Sequence, residues 1–245
     1  MTEELFREDA SLATCNARIT RVDERGVQLD RTVFYPLGGG QAGDRGMLIL
    51  PDGSELEIFD TRKGAFPGEI LHLAGAAQQG LLALLSVGTP VTAQIDMPRR
   101  QRHMRFHTAT HLLCALVPQP VDGCSITADY ARLDFHMTAP LDKSALNAGL
   151  ARLVKEAHPV SQRWITEAEL DANPGLVRSM SVKPPRGLGR VRVLEIEGVD
   201  LQPCGGTHVA NTAEVGTVIV TRIEKKSAMT RRVVLGFAPL VDSAR

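Results

Sequence analysis

The sequence predicts an α+β protein in which a small N-terminal β-barrel precedes an α+β domain. Three observations carry this. Short apolar runs separated by Gly, Asp and Pro fill the first 95 residues, as expected of a small all-β unit. At Asp96 the pattern changes to a helical apolar stripe, and beyond it helices mix with antiparallel-looking strands. With 245 residues, 43% of them hydrophobic and 23% charged, the chain is long and apolar enough for two cores, and wholesale disorder is excluded.

In order along the chain, strands are expected at 17–22, 27–29, 46–49, 56–59, 69–73 and 90–95, each bounded by turn residues. The Ala/Leu/Gln-rich stretch 74–87 reads as one short helix or a loop. Asp96 can cap a helix that tolerates Pro98 in its first turn and that Pro118 ends, with Phe106, Ala109, Leu112, Leu113 and Leu116 as its stripe. A second helix is expected at 141–157, with Leu146, Leu150, Leu153 and Val154 inward. Strands follow at 160–165, 191–196, 215–223 and 231–237. These elements divide the chain into domains 1–93 and 94–245.

Several classes are excluded by composition. No run approaches the roughly 18 apolar residues of a membrane span, the longest being Leu81–Val87. The acidic start, MTEELFREDA, lacks the apolar core of a secretion signal. Four Cys without disulfide-like spacing suit a reducing compartment, so a cytoplasmic location is expected. Net charge is zero, with 28 basic and 28 acidic residues, but it is unevenly spread. Residues 1–95 hold 8 basic and 13 acidic side chains, a balance of −5, and residues 96–245 hold 20 and 15, a balance of +5. The second half is therefore the one expected to meet an anion.

Two five-residue windows hold four of the eleven Cys and His residues. His107 and His111 are four apart on the expected helix, so both imidazoles share one face and can reach one ion. Cys204 and His208 flank a Gly-Gly-Thr turn able to wrap the same ion. Either motif alone could be incidental, with Cys204 a small buried apolar residue. Together they point to a metal, and one Cys with three His suits zinc. Thr108 follows the first His where zinc proteases carry a Glu base, so that chemistry is excluded.

The segment Thr32 to Gln41 includes Gly38, Gly39 and Gly40, which permit close approach of backbone to a ligand. It has neither the ending of a phosphate-binding P-loop nor dinucleotide spacing. Basic runs occur at Arg99, Arg100, Arg102 and Arg105, at Lys225, Lys226, Arg231 and Arg232, and at Lys183, Arg186, Arg190 and Arg192. Three such runs around the metal motifs favour phosphate contact.

The stretches FYPLGGGQAGDRG, DMPRRQRHMRFHTATHLL, RLDF and CGGTHVANTAEVG resemble, in order and spacing, the editing region of alanyl-tRNA synthetase. From about residue 30 to 235 the chain resembles the freestanding AlaX proteins that edit alanyl-tRNA in trans, of the medium-length type with an N-terminal barrel. Leu37 departs from the pattern, many members having a polar residue there. The resemblance implies zinc held by His107, His111, Cys204 and His208, with the loop at 38–41 leaning over that site. It also implies hydrolysis of the ester of serine, and often of glycine, mischarged on tRNA(Ala). A pocket that demands a serine hydroxyl would spare alanine, since unpaired polar groups are costly. Thr32 and Gln41 are the candidates for that contact. For a general base the motifs offer Asp200 and Asp134, with support of a ligand His an equal alternative for Asp200. The arginine and lysine runs are the candidate tRNA contacts. A structural-zinc RNA-binding protein without turnover is the competing reading, and a monomer is the expected state.

Overall fold

The computed structural model describes residues 1–180, 187 and 189–239. The chain forms two compact units, Met1–Gln101 and Arg102–Arg245.

The first unit opens with β1 (Glu3–Glu4), β2 (Thr14–Asp23), β3 (Gly26–Leu29) and β4 (Arg31–Thr32). It continues with β5 (Gly46–Ile49), β6 (Glu55–Lys63), β7 (Ile70–Ala74), the single turn α1 (Gln79–Leu82) and β8 (Pro90–Ile95). Six of these strands close a barrel in the order β2-β3-β7-β6-β5-β8, while β1 and β4 form a separate parallel pair. Alternation with period two drives closure, because Ala17 and Ile19, Leu56 and Ile58, and Val91, Ala93 and Ile95 all point into one core. The stretch 74–87 contains a 3-10 turn followed by α1, and Leu82 packs into the barrel core.

A buried ion pair sits beside this core. Arg100 Nε lies 3.1 and 3.0 Å from the two carboxylate oxygens of Asp44, and both residues are essentially unexposed. The remaining guanidinium donors reach the carbonyls of Ala10 (3.0 Å) and Val33 (2.6 Å). Asp44 also accepts from the Tyr35 amide at 2.6 Å. Losing either partner would leave a charge buried alone, a change that typically costs about 3–5 kcal/mol.

In the second unit, α2 (Met97–Leu116), whose first turn belongs to the first unit, is capped by Asp96, whose Oδ1 accepts from the Arg99 amide at 3.0 Å. From Phe106 to Cys114 every residue is buried, so the expected stripe is in fact a helix enclosed all round. There follow β9 (Val121–Ile126), β10 (Ala131–His136), α3 (Lys143–Lys155), β11 (Val160–Thr166), α4 (Glu167–Ala172) and β12 (Arg190–Ile196). The last strands are β13 (Asp200–Pro203), β14 (Val218–Ser227) and β15 (Thr230–Phe237). One sheet runs β14-β15-β10-β9 and the other β11-β12-β13. Helix α3 packs on β14, where Asn147 pairs with both backbone groups of Val220. The strand expected from 215 begins only at Val218, because a 3-10 turn at Thr212–Val215 and a left-handed Gly216 (φ +64°) come first. No helix among the described residues is long and apolar enough to cross a membrane.

His72 supplies a pH test of the barrel. Its Nδ1 lies 3.1 Å from the Val27 carbonyl and its Nε2 2.8 Å from Thr32 Oγ1. Full burial pushes its pKa down to about 4, against the opposing pull of Val27. The unfolded chain, titrating near 6.5, therefore binds the extra proton first. The stabilising contribution is complete above about pH 6.5 and is lost as pH falls to about 4, amounting to ~3 kcal/mol. Urea unfolding of wild type and His72→Gln at pH 7, 5 and 4 should show this component in wild type alone; parallel profiles would contradict it.

Candidate metal centre

The glycine-rich loop is built by its own hydrogen bonds. Gly38 and Gln41 exchange backbone bonds at 3.1 and 3.0 Å, and Tyr35 donates its hydroxyl to the Gly38 carbonyl at 2.8 Å. Gly39 and Gly40 have φ of +59° and +84°, which explains why glycines are required there. The loop exposes Leu37 and Gly39 and encloses Gln41. Thr32 corrects an expectation. The Nδ1–H of His72 serves the Val27 carbonyl, so the Thr32 hydroxyl donates to His72 Nε2, and it accepts from the Phe34 amide at 3.0 Å. Fully buried and so engaged, it has no hydroxyl to offer a substrate.

In the second unit the four metal candidates converge. The donor atoms of His107, His111, Cys204 and His208 lie within 4.8 Å of one another, close enough for one ion. Helix α2 supplies the two histidines one turn apart, and the turn after β13 supplies the other two groups. Cys204 Sγ is 3.2 Å from His208 Nε2 and 3.5 Å from His107 Nε2. The Gly206 amide points at the same sulfur from 3.5 Å, as an anionic thiolate favours. Arg192 fixes this turn, donating to the carbonyls of Cys204 (2.8 Å) and Gly206 (3.1 Å).

Each supporting partner selects the ring nitrogen that faces the cluster. Asp200 Oδ2 is 2.8 Å from His111 Nδ1, so Nε2 is left for the ion. Asp200 is itself held by Gln202 Nε2, at 3.0 and 2.8 Å, and faces Arg178 Nη2 at 3.7 Å. Thr108 Oγ1 lies 3.2 Å from His208 Nδ1 and does the same for that ring. One thiolate sulfur and three imidazole nitrogens, with carboxylate and hydroxyl support behind them, fit a borderline-soft cation.

The electrostatics agree. Burial opposes ionisation of Cys204, but His107 and His208, with hydrogen bonds from His107 and His111, outweigh it and draw the thiol well below its usual range. For His111, burial is outweighed by Asp200 and Cys204, and its pKa rises to about 10. Burial and then His107 push His208 down to about 3. A thiolate at Cys204 is the ligand state a cation requires.

Of the carboxylates considered as bases, Asp200 is hydrogen-bonded to His111 and Gln202 and faces Arg178. Asp134 is held below the usual range by Arg232, which reaches both its oxygens at 2.7 Å, and it also pairs with Arg132. The basic runs also sort by burial. Arg100 is spent on Asp44, and Arg231 is buried with its guanidinium on the carbonyls of Ser227 and Thr138, so both are corrected from RNA contacts to internal ties. Arg99 is half-buried on the Gly43 carbonyl (2.8 Å). Arg102 and Arg105 flank the Phe237 ring at 4.5 and 4.3 Å, and Arg102, Lys225 and Lys226 are exposed. Arg192 belongs to the Cys204 turn, while Lys183 and Arg186 lie outside the described residues.

Sequence reading missed Thr108, Arg178, Gln202 and the structural role of Arg192. Only Thr108, between the two helical histidines, carried a local signal. Asp200→Asn keeps the shape but weakens acceptance of the His111 proton. It should lower metal affinity about 10–100-fold in competition with a chromogenic chelator; unchanged affinity would contradict the assigned support.

Family models extend the comparison. One described as threonyl and alanyl tRNA synthetase second additional domain matches residues 191–234, and one described as tRNA synthetases class II (A) matches residues 7–99. Alanyl-tRNA editing protein AlaX-M of Methanosarcina acetivorans is 33% identical over 240 residues, covering 95% of this chain and 97% of the relative. The AlaX-M of Methanosarcina barkeri is 34% identical over 250 residues, covering 99% and 100%. Alanine–tRNA ligase of Pyrococcus furiosus is 32% identical over 243 residues, and there the match covers 25% of the relative. Full-length similarity at this level, together with the converging His and Cys pairs, shows that the chain belongs to the AlaX-M family of alanyl-tRNA editing proteins.

Proposed function

We propose that the protein is a trans-editing deacylase that hydrolyses mischarged Ser-tRNA(Ala), with the glycyl ester as a second substrate, at a zinc site formed by His107, His111, Cys204 and His208. The observation that carries this reading is the buried four-donor cluster in a chain with AlaX-M relatives along its whole length. A small-residue activation pocket rejects serine and glycine by only about 1–3 kcal/mol, so a second, hydrolytic site has a purpose.

In the reaction, water adds to the ester carbonyl carbon, the C–O bond to the ribose breaks, the ribose oxygen takes one of the water's protons, and the other passes to solvent as the amino acid leaves as a carboxylate. When bound, zinc would supply Lewis acidity and an anchor for the ester. The chain's own residues do the rest. Cys204 and the three histidines hold a fixed charge, Asp200 and Thr108 fix two rings, and Arg192 locks the Cys204 turn. Neither Asp200 nor Asp134 is free to take a proton, so we assign no carboxylate base. Thr32 is spent on His72, and Gln41 holds the loop of Gly38, Gly39 and Gly40 through paired backbone bonds. Exposed Arg102, Lys225 and Lys226 are proposed to meet tRNA phosphates.

The test is the decay of seryl, glycyl and alanyl esters of tRNA(Ala) with purified protein. The seryl ester should disappear at least about tenfold faster than the alanyl ester, and chelation should abolish the difference. Decay equal to the protein-free rate would overturn the deacylase reading and leave an RNA-binding protein.

A further inference from the structure

Trp164 is the chain's single tryptophan and is 47% exposed, an unusual place for the largest apolar side chain. The guanidinium of Arg190 lies over its ring, 4.5 Å from the centroid. We propose that Trp164 and Arg190 form a stacking platform for a nucleobase of the single-stranded 3′ end of the substrate RNA. This rests on the deacylase reading and adds a binding site to it.

The placement on the sheet carries the argument. Trp164 of β11 is paired with Arg192 of β12, and Leu194 of β12 with Gln202 of β13. Residues opposite one another in an antiparallel ladder, and those two apart along a strand, share a face. Gln162, Trp164, Arg190, Arg192, Leu194, Gln202 and Asp200 therefore line one face, while Ile165, Val191 and Val193 form the core on the other with Leu170. Burial differs across this face. Asp200, Gln202, Leu194 and Arg192 are buried beside the metal cluster, whereas Trp164 and Arg190 are exposed at the far end.

Arg192 links the two ends, because it stands opposite Trp164 and its guanidinium binds the carbonyls of Cys204 and Gly206. Two inter-strand spacings, about 10 Å, separate the strand of Trp164 from that leading into Cys204. That is the scale of a nucleotide, so an RNA end whose ester lies at the cluster would bring a base to the indole. Aromatic and guanidinium planes are the usual stacking partners of unpaired bases, and arginine adds attraction for the neighbouring phosphate.

Because Trp164 is the single tryptophan, its fluorescence reports the site in the intact protein. Titration with the trinucleotide CCA should quench it saturably. Trp164→Ala should raise KM for the seryl-tRNA ester about tenfold, with kcat and metal content unchanged. Trp164→Phe should restore most of the loss, which a merely structural role would not predict. An enzyme that hydrolyses the ester while CCA leaves Trp164 unquenched and Trp164→Ala leaves KM unmoved would overturn the platform. Quenching by CCA in a protein that cleaves no ester would sustain the platform and overturn the deacylase reading instead.

Discussion

Placing four titratable groups in one buried cluster is the constraint around which the second unit is organised. A thiol and three imidazoles cannot be brought together without settling where their protons go, since uncompensated buried charge is costly. Two of the three rings have an identified arbiter. Asp200 accepts a hydrogen bond from Nδ1–H of His111, and Thr108 addresses Nδ1 of His208. Cys204 gains its negative charge from the same histidines it serves. Longer-range features follow from this. Helix α2 must be buried all round from Phe106 to Cys114, β13 must hold Asp200 and Gln202 where they can bind each other, and Arg192 must leave solvent to hold the Cys204 turn.

The barrel unit meets a related demand in a different way. Its glycine loop needs left-handed backbone at Gly39 and Gly40, and its scaffold is polar and buried rather than apolar. Arg100 ties Asp44 to the carbonyls of Val33 and Ala10, Asp44 holds the Tyr35 amide, and the Tyr35 hydroxyl holds Gly38. Each link is a donor meeting an acceptor, so a loop with few side chains acquires a defined shape.

Features set by neighbours in sequence were legible before the structure. The Asp96 cap, the Pro118 stop, the alternating barrel strands and the four ligand candidates all rest on spacings of a few residues. The hairpin of β9 and β10 was missed because Asp122, Gly123 and Asp134 interrupt its apolar alternation. Strand β13 was missed because four residues ending in Pro203 carry almost no pattern. Asp200 was seen only as a nearby acid, since its partner His111 lies 89 residues away. Arg100 and Arg231 misled for the opposite reason. Each stands in a basic run that reads as a solvated face, and burial of their guanidinium groups depends on carbonyls that no sequence window displays.

All of this stands on one claim, that His107, His111, Cys204 and His208 bind a single ion together. X-ray absorption on the purified protein, with metal content measured on the same sample, addresses it directly. The account predicts one zinc per chain, with a shell of one sulfur near 2.3 Å and nitrogens at about 2.0–2.1 Å. A shell without sulfur, or a protein that acquires no metal while remaining folded, would contradict it.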